Sequence, residues 1–241
     1  MRFSSASGAA GVRSEIKFSL PFADLRKLQS ILEVNFRRIS FRNPTSRVAS
    51  LYFDDPRLSA CHDNIDGSPR RSKLRLRWYD APFPEGDLFF EIKKRRGEAT
   101  SKERVRLRTE ARLDSVPFRE LTRCLSRALP AASREAWLAR PEAVVLVEYE
   151  RRYYEAVSEP VRITLDSDLA FYSQMGRLRP GRRFPVRAPD LVILEAKTPV
   201  GVEDRIRELL HPLEPRATRS SKYVIGCQAL GLLPGSHYGP I

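Results

Sequence analysis

The segment Lys73-Leu-Arg-Leu-Arg77 is the most informative part of this chain for predicting its fold. Basic residues occupy its odd positions and leucines its even positions. Because successive side chains of a β-strand point to opposite faces of the sheet, the segment predicts a strand with one basic and one apolar face. The same alternation recurs at 102–108 and at 162–166. The sequence therefore predicts several strands of this two-faced kind.

Three further segments place a carboxylate and an ammonium group on one face of a strand. They are Glu15-Ile-Lys17, Glu91-Ile-Lys93 and Glu195-Ala-Lys197. The chain has 18 Glu and 8 Lys, and composition alone gives only about 0.6 such pairs. Basic strand faces interspersed with glutamates predict a sheet closed around a charged interior, which holds a polyanion and a metal.

The composition describes a globular protein with a large excess of positive charge. The 241 residues are 41% hydrophobic and 30% charged, with a formal net charge of +13. Most of the bases are arginine, whose planar fork binds phosphate bidentately. On charge alone the partner is polyphosphate, a nucleotide, nucleic acid or an anionic membrane surface, or the charge only serves solubility.

The cysteines and the two ends of the chain indicate in which cellular compartment the protein is expected. Three widely spaced cysteines form no CxxC pair, so neither a disulfide framework nor a zinc site is indicated, and a reducing, cytoplasmic location is expected. Residues 1–12 lack the apolar core of a signal peptide and are expected to be a disordered leader, and 234–241 a loose tail. No stretch approaches the roughly 18 apolar residues of a membrane-spanning helix.

Between these ends the sequence predicts one domain over residues 13–233, with about eight strands and helices inserted between them. Helical spacing of apolar residues is found at 25–36, 115–140, 201–211 and 220–232. Residues 57–71 are expected to be a turn-rich connection and 174–189 a flexible basic loop. Hairpin-like order favours antiparallel pairing, and eight strands suit a closed barrel. The expected fold class is β-dominated α+β, an eight-stranded antiparallel β-barrel with a charged lumen and helices packed outside.

Each candidate side chain also has an ordinary alternative role. The bases of the alternating strands either bind successive phosphates or cover a solvated sheet face. Glu15, Glu91 and Glu195 either bind Mg²⁺ or Mn²⁺, which take carboxylate oxygens together with substrate phosphates, or pair with the bases. Asp166 is expected to cap a turn rather than to bind a metal.

Other sites are weaker or missing in the sequence. Arg219 and Lys222 flank two serines at a predicted helix start, which is either a phosphate site or an ordinary N-cap. The chain has no GxxxxGK[ST], no GxGxxG and no visible Ser-His-Asp set, which argues against a P-loop site and against covalent catalysis.

Nine segments, in order along the chain, resemble the VTC domain. This is the polyphosphate polymerase domain of the vacuolar transporter chaperone complex, with free-standing bacterial relatives, within the CYTH-like triphosphate tunnel metalloenzymes. The segments are Arg13-Ser-Glu-Ile-Lys-Phe18, Ser50-Leu-Tyr-Phe-Asp54, Lys73-Leu-Arg-Leu-Arg77, Phe90-Glu-Ile-Lys93, Ser101-Lys102, Tyr149-Glu-Arg151, Arg162-Ile-Thr-Leu-Asp166, Leu194-Glu-Ala-Lys197 and Ser221-Lys-Tyr223. The resemblance implies an eight-stranded tunnel, Mn²⁺ or Mg²⁺ as cofactor, and polyphosphate synthesis from the γ-phosphate of ATP.

The resemblance also assigns residues. Matched one by one, the family's phosphate-contacting bases fall on Lys17, Arg75, Arg77, Lys93, Lys102, Arg151, Arg162, Arg219 and Lys222, and its metal-binding glutamate on Glu195. The strand pattern adds Arg104 and Lys197 as substrate-binding bases and Glu15 and Glu91 as metal ligands. The expected catalytic residues are Lys17, Arg75, Arg77, Lys93, Arg151 and Arg162, and the other bases bind substrate.

One departure from the related CYTH signature bears on the reaction. The ExExK signature has a single glutamate before Lys17, because position 13 is arginine. The loss of a carboxylate that hydrolytic relatives use favours a polymerase, which transfers the γ-phosphate of ATP to a growing polyphosphate chain. The alternatives are a triphosphatase on the same tunnel and a non-enzymatic module that binds polyphosphate or RNA. RNA ranks last, because the aromatic residues form no stacking platform.

Overall fold

The computed structural model describes residues 13–41, 43–97, 99–157, 159–218 and 221–233. The expected leader at 1–12 and tail at 234–241 lie outside these residues. Within them, eleven strands form one antiparallel sheet: β1 (Arg13–Pro21), β2 (Arg37–Ile39), β3 (Ser46–Asp54), β4 (Arg70–Tyr79), β5 (Gly86–Arg96), β6 (Ala99–Thr109), β7 (Glu142–Glu155), β8 (Arg162–Ser173), β9 (Val186–Ala188), β10 (Leu191–Pro199) and β11 (Arg216–Ala217).

Six α-helices are inserted between the strands of the described residues: α1 (Leu25–Asn35), α2 (Ser59–Ile65), α3 (Phe118–Ala128), α4 (Ala131–Leu138), α5 (Glu203–Leu210) and α6 (Lys222–Ala229). None of these helices is both long and apolar enough to cross a bilayer. The strand order is β11-β1-β10-β8-β7-β3-β4-β5-β6, with β2 beside β7 and β9 beside β8. The eight long strands are thus neighbours in one antiparallel sheet, which confirms the predicted fold class.

The sheet is strongly curved, so that its two edges approach each other. Five strands separate β1 from β5 in the strand order, yet the ammonium of Lys93 on β5 lies 3.2 Å from the Glu15 carboxylate on β1. In the described residues no backbone pairing joins β6 to β1. The expected barrel is therefore a curled half-barrel whose two edges are linked by side chains, with a concave face inside the curl.

Helices cover the convex, apolar face, as the alternating strands require. Leu76 and Phe90 pack against Trp137 of α4 and the apolar side of α3. On the other half of the sheet, Leu194 packs with α1 and with Ile206 of α5. The apolar positions of the alternating strands are buried in this way, and their charged and polar positions are left on the concave face.

Helix α6 departs from the expectation that helices pack outside. Its Tyr223 belongs to the same apolar cluster as Tyr52 and Val147, which lie on the concave face. The rings of Tyr223 and Tyr52 stack, with centroids 5.2 Å apart. A Cβ on Gly226 would lie 2.9 Å from both Phe171 and Val145, so a glycine is needed for this approach. Helix α6, with α2 against it, therefore fills one end of the concave face.

The connection at 57–71 contains helix α2, which the sequence analysis missed. Its first turn is capped from the preceding strand, because the Asp54 carboxylate accepts hydrogen bonds from the backbone N–H groups of Ala60 (3.0 Å) and Cys61 (3.1 Å). Asp55 accepts from Ser59 N–H at 3.1 Å. Acidic side chains satisfy the free N–H groups of a helix start, and in the sequence the same acids look like the end of a strand.

Candidate functional site

Strand register assembles the predicted site on the concave face. Residues paired across an antiparallel sheet have their side chains on the same face. Three rows read across neighbouring strands carry much of the charge: Tyr52, Arg75, Glu91 and Arg104; Lys73, Lys93 and Lys102; and Lys17, Glu195, Thr164 and Tyr153. Segments far apart in sequence thus contribute bases to one surface.

The Glu91 side chain is the centre of the first group of charges and is only 3% exposed. Its Oε2 lies 2.6 Å from Arg75 and 3.8 Å from Arg77, and its Oε1 lies 2.8 Å from Lys102 and 3.5 Å from Arg104. Burial alone would raise the pKa of Glu91, but Arg75, Arg77 and Lys102 outweigh burial and hold the pKa well below its usual value. One carboxylate therefore orders four bases.

Neutral side chains also accept hydrogen bonds from the guanidinium groups of Arg75 and Arg77. Arg75 donates a hydrogen bond to the Tyr52 hydroxyl at 3.2 Å. Arg77 donates to Ser50 Oγ and to the Tyr149 hydroxyl, both at 3.1 Å. The sequence analysis missed these three acceptors, whose signal was the register of the strands and not any local pattern. The two arginines are fixed in position before any ligand binds.

A second group of charges joins β1, β5 and β10. Lys17 lies 2.9 Å from Glu15 and 3.5 Å from Glu195. Lys93 contacts Glu15, and Lys197 lies 3.3 Å from Glu195. Burial would raise the pKa of Glu195, but Lys17 and Lys197 hold it well below its usual value. Burial and Glu195 also act to raise the pKa of Glu15, and Lys17 and Lys93 reverse this.

A third group lies at the start of α6. Arg151 binds the two oxygens of Asp166 at 2.6 and 2.7 Å, and the Lys222 ammonium lies 2.5 Å from the same carboxylate. Asp166 is fully buried inside β8, so the expectation that it caps a turn is wrong. Its pKa is lowered, because Arg151 and Lys222 outweigh the effect of burial. Ser221 caps α6 by accepting from Val224 N–H.

The predicted base Arg162 lies apart from these groups. Arg162 stands at the first position of β8, with a side chain that is 66% exposed and 3.2 Å from Glu155. Register places it beside Lys197 at one end of the concave face. Arg219 lies outside the described residues. Their predicted roles stay predictions.

Lys73 differs from the other bases of the concave face, because no carboxylate of the described residues pairs with it. It lies in register with Lys93. Burial, followed by the charges of Lys17, Lys93, Arg71 and Arg75, lowers the pKa of Lys73 to about 7. The surface thus has an uncompensated cationic position at which an anion is favoured.

The carboxylates can be tested for their fit to a divalent metal. The described residues contain no cluster of three or more Asp, Glu, His or Cys side chains suited to a metal. Glu15 and Glu195 are close enough to influence each other's ionisation, and Mg²⁺ usually takes one or two carboxylates with substrate phosphates and water. This pair fits a metal that arrives with a phosphate ligand. Both oxygens of Glu91 already face bases.

Comparison with known proteins gives one family and several solved structures. The model of the VTC domain matches residues 12–231. The PH1819 protein of Pyrococcus horikoshii OT3 is 15% identical, with a TM-score of 0.46, and the match covers 88% of this chain and 97% of that one. The Hippeastrum protein HpAC1, described as a candidate adenylyl cyclase with a dominant triphosphatase activity, is 17% identical, with a TM-score of 0.49 and coverage of 92% of this chain and 99% of that one. No curated protein sequence matches.

Both TM-scores are below 0.5, so the fold and the chemistry rest on this chain's own residues. The family match is of a different kind, because it runs through β1 to α6 and contains every charged group of the concave face described above. The chain belongs to the VTC domain family.

Proposed function

We propose that this protein is a metal-dependent polyphosphate polymerase, which transfers the γ-phosphate of ATP to a growing polyphosphate chain on the concave face. The observation that carries the proposal is the charge balance of the three charged groups of that face and Lys73, where ten bases surround four carboxylates. The bases are Lys17, Lys73, Arg75, Arg77, Lys93, Lys102, Arg104, Arg151, Lys197 and Lys222, and the carboxylates are Glu15, Glu91, Asp166 and Glu195. A surplus of this size on one curled surface suits a polyanion.

Phosphoryl transfer suits a site with many fixed bases and no protein nucleophile. The transferred group needs in-line positioning and stabilisation of charge on its equatorial oxygens, with little covalent chemistry by the protein. Arg75 and Arg77 are held by Glu91 and by hydroxyl groups, so they need little reorganisation at the transition state. We assign them, with Lys17 and Lys93, to the transferred phosphate.

The state of the carboxylates favours a phosphate acceptor over water. A hydrolase gains from a general base whose pKa lies near the working pH. Here the pKa values of Glu15, Glu91, Asp166 and Glu195 are all lowered by neighbouring bases, which makes each a weak base. The terminal phosphate of a polyphosphate chain is already anionic and needs no base to attack.

Glu195 and Glu15 are the residues that we assign to the metal. They would hold Mn²⁺ or Mg²⁺, which would supply positive charge against the substrate phosphates. Lys17, which lies between the two carboxylates, holds them together in the absence of that charge. We assign Glu91 to positioning its four bases and not to binding the metal, because both of its oxygens face those bases.

Product analysis tests this proposal. Purified protein is incubated with γ-³²P-ATP and Mn²⁺, and the products are resolved on a gel. A ladder of nucleotide-free chains is expected, and Lys17→Ala should lose it while Lys27→Ala, an exposed lysine of α1, keeps it. Free phosphate as the sole product would favour the triphosphatase alternative, and unchanged ATP would favour a binding module.

A further inference from the structure

The segment 174–188, between β8 and β10, carries charge that the proposed reaction does not use. It contains five arginines and no carboxylate. Its last residues, 186–188, run back along β8 and pair with 169–171. The Leu178 carbonyl accepts from the Phe118 N–H of α3, and Arg182 pairs with Glu148, whose register neighbours belong to the convex apolar face. The body of the segment therefore lies on the convex side, away from the charged groups of the concave face.

Hydrogen bonds hold this segment in a defined shape. The Gln174 side chain accepts from Gly181 N–H at 3.0 Å and donates to the Gly181 carbonyl at 2.7 Å. Arg177 donates to the carbonyl of Ser173 at 2.6 Å and to that of Arg183 at 3.1 Å. These bonds hold the first half of the loop beside the second half. The loop therefore has a defined conformation, and the expectation that it is flexible is wrong.

The fixed loop presents large apolar side chains to solvent. Leu178 and Phe184 are each 86% exposed, with Met175 and Val186 partly exposed beside them in sequence. Phe184 has a left-handed backbone (φ 57°), which is unfavourable for a residue with a Cβ. The backbone of Phe184 is thus strained, and its apolar side chain is exposed although burial would be favourable. This combination indicates that the exposure of Phe184 has a function.

Free arginines flank these apolar side chains. Within the described residues, Arg179 and Arg183 are exposed and pair with no carboxylate, whereas Arg182 pairs with Glu148 and Arg187 with Asp168. Aromatic and aliphatic tips enter the boundary between headgroups and acyl chains, and adjacent bases bind anionic lipid phosphates. Apolar tips with free bases match that interface in both polarity and charge.

We propose that the loop 174–188 docks the protein on an anionic lipid surface, with Leu178 and Phe184 inserted and Arg179 and Arg183 on the headgroups. The opposite end of β8, with Arg162 and Lys197, then stays open to solvent. This proposal is independent of the reaction on the concave face, because binding is measured without nucleotide.

Co-sedimentation with vesicles tests the docking surface. The full chain should bind vesicles that contain phosphatidylglycerol and bind pure phosphatidylcholine vesicles weakly. The double variant Leu178→Ser/Phe184→Ser should lose roughly ten- to hundredfold in partition to the anionic vesicles. Val34→Ser, which alters an 85% exposed residue of α1, is the matched control and should bind like the parent.

A spectroscopic probe gives a second readout. Phe184→Trp should show a blue-shifted emission on anionic vesicles, over a constant background from the buried Trp78 and Trp137. The proposal is overturned if the parent does not bind anionic vesicles, or if the double variant binds them as well as the parent. It is also overturned if the Phe184→Trp emission stays unshifted on bound vesicles, because contact is then electrostatic and does not insert the tip.

Discussion

Removal of the Glu91 charge is the perturbation that separates an ordered basic site from an ordinary charged surface. In Glu91→Gln, Arg75, Arg77, Lys102 and Arg104 lose their shared carboxylate. Breaking a buried ion pair costs about 3–5 kcal/mol, and the partial exposure of Lys102 and Arg104 lets water offset part of this. We expect a loss of about 2–3 kcal/mol in the free energy of unfolding, or a fall in Tm of about 4–12 °C for a domain of this size.

Asp87→Asn is the matched control on the same strand. Asp87 pairs with Arg106, and both side chains are at least 40% exposed, so its removal should cost less than about 1 kcal/mol. Urea unfolding of parent and variants, with and without tripolyphosphate, is the assay. Tripolyphosphate should stabilise Glu91→Gln more than the parent, because the anion replaces the missing charge.

The sign of the pH dependence follows from the lowered pKa of Glu91. Its contribution to stability is complete above the unfolded-state pKa of about 4.3 and is lost progressively as pH falls below that value. The stability gap between parent and Glu91→Gln should therefore narrow towards about pH 3. A Glu91→Gln variant as stable as Asp87→Asn at neutral pH would refute the view that this carboxylate orders the four bases.

Three further predictions address other parts of the concave face. Lys73→Met should raise Tm in the absence of ligand but weaken tripolyphosphate binding in calorimetry. Because the folded-state pKa of Lys73 is lowered to about 7, the stability advantage of the variant over the parent should shrink as pH rises from 7 towards about 10. Tighter tripolyphosphate binding by the variant would contradict a role of Lys73 in binding the anion. With tripolyphosphate present, Glu195→Gln should abolish Mn²⁺ binding followed by electron paramagnetic resonance. Glu103→Gln, on β6 and paired with Lys94, should bind Mn²⁺ as the parent does. Gly226→Ala should lower the free energy of unfolding in urea by about 1–3 kcal/mol, because its Cβ would lie 2.9 Å from Phe171 and Val145. A loss equal to that of Gln228→Ala on the same helix would mean that α6 does not pack closely against the sheet.

The sequence predicted what depends on alternation along a strand. Residues 73–77 determine which side chains face inward, so the basic concave face, the antiparallel sheet and the outer helices over Leu76 and Phe90 could be derived. The same reasoning placed Lys17, Glu91 and Glu195 on the charged side.

What depends on register or on distant packing could not be derived. The hydroxyls of Tyr52 and Tyr149 reach arginines only through pairing of β3 with β4 and β7. Asp166 resembled a turn cap, because its partner Lys222 comes from a helix 56 positions later in the chain. The placement of α6 inside the curl depends on Gly226, whose role appears only where two strands approach it.

A crystal structure of the protein with tripolyphosphate and Mn²⁺ would show directly where the polyanion binds. We expect phosphate groups on the concave face, within hydrogen-bonding distance of Arg75, Arg77 and Lys17, and a metal at Glu195. Phosphates bound only to the convex face or to the loop 174–188, with Arg75 and Arg77 still turned to Glu91 and free of ligand, would contradict this expectation.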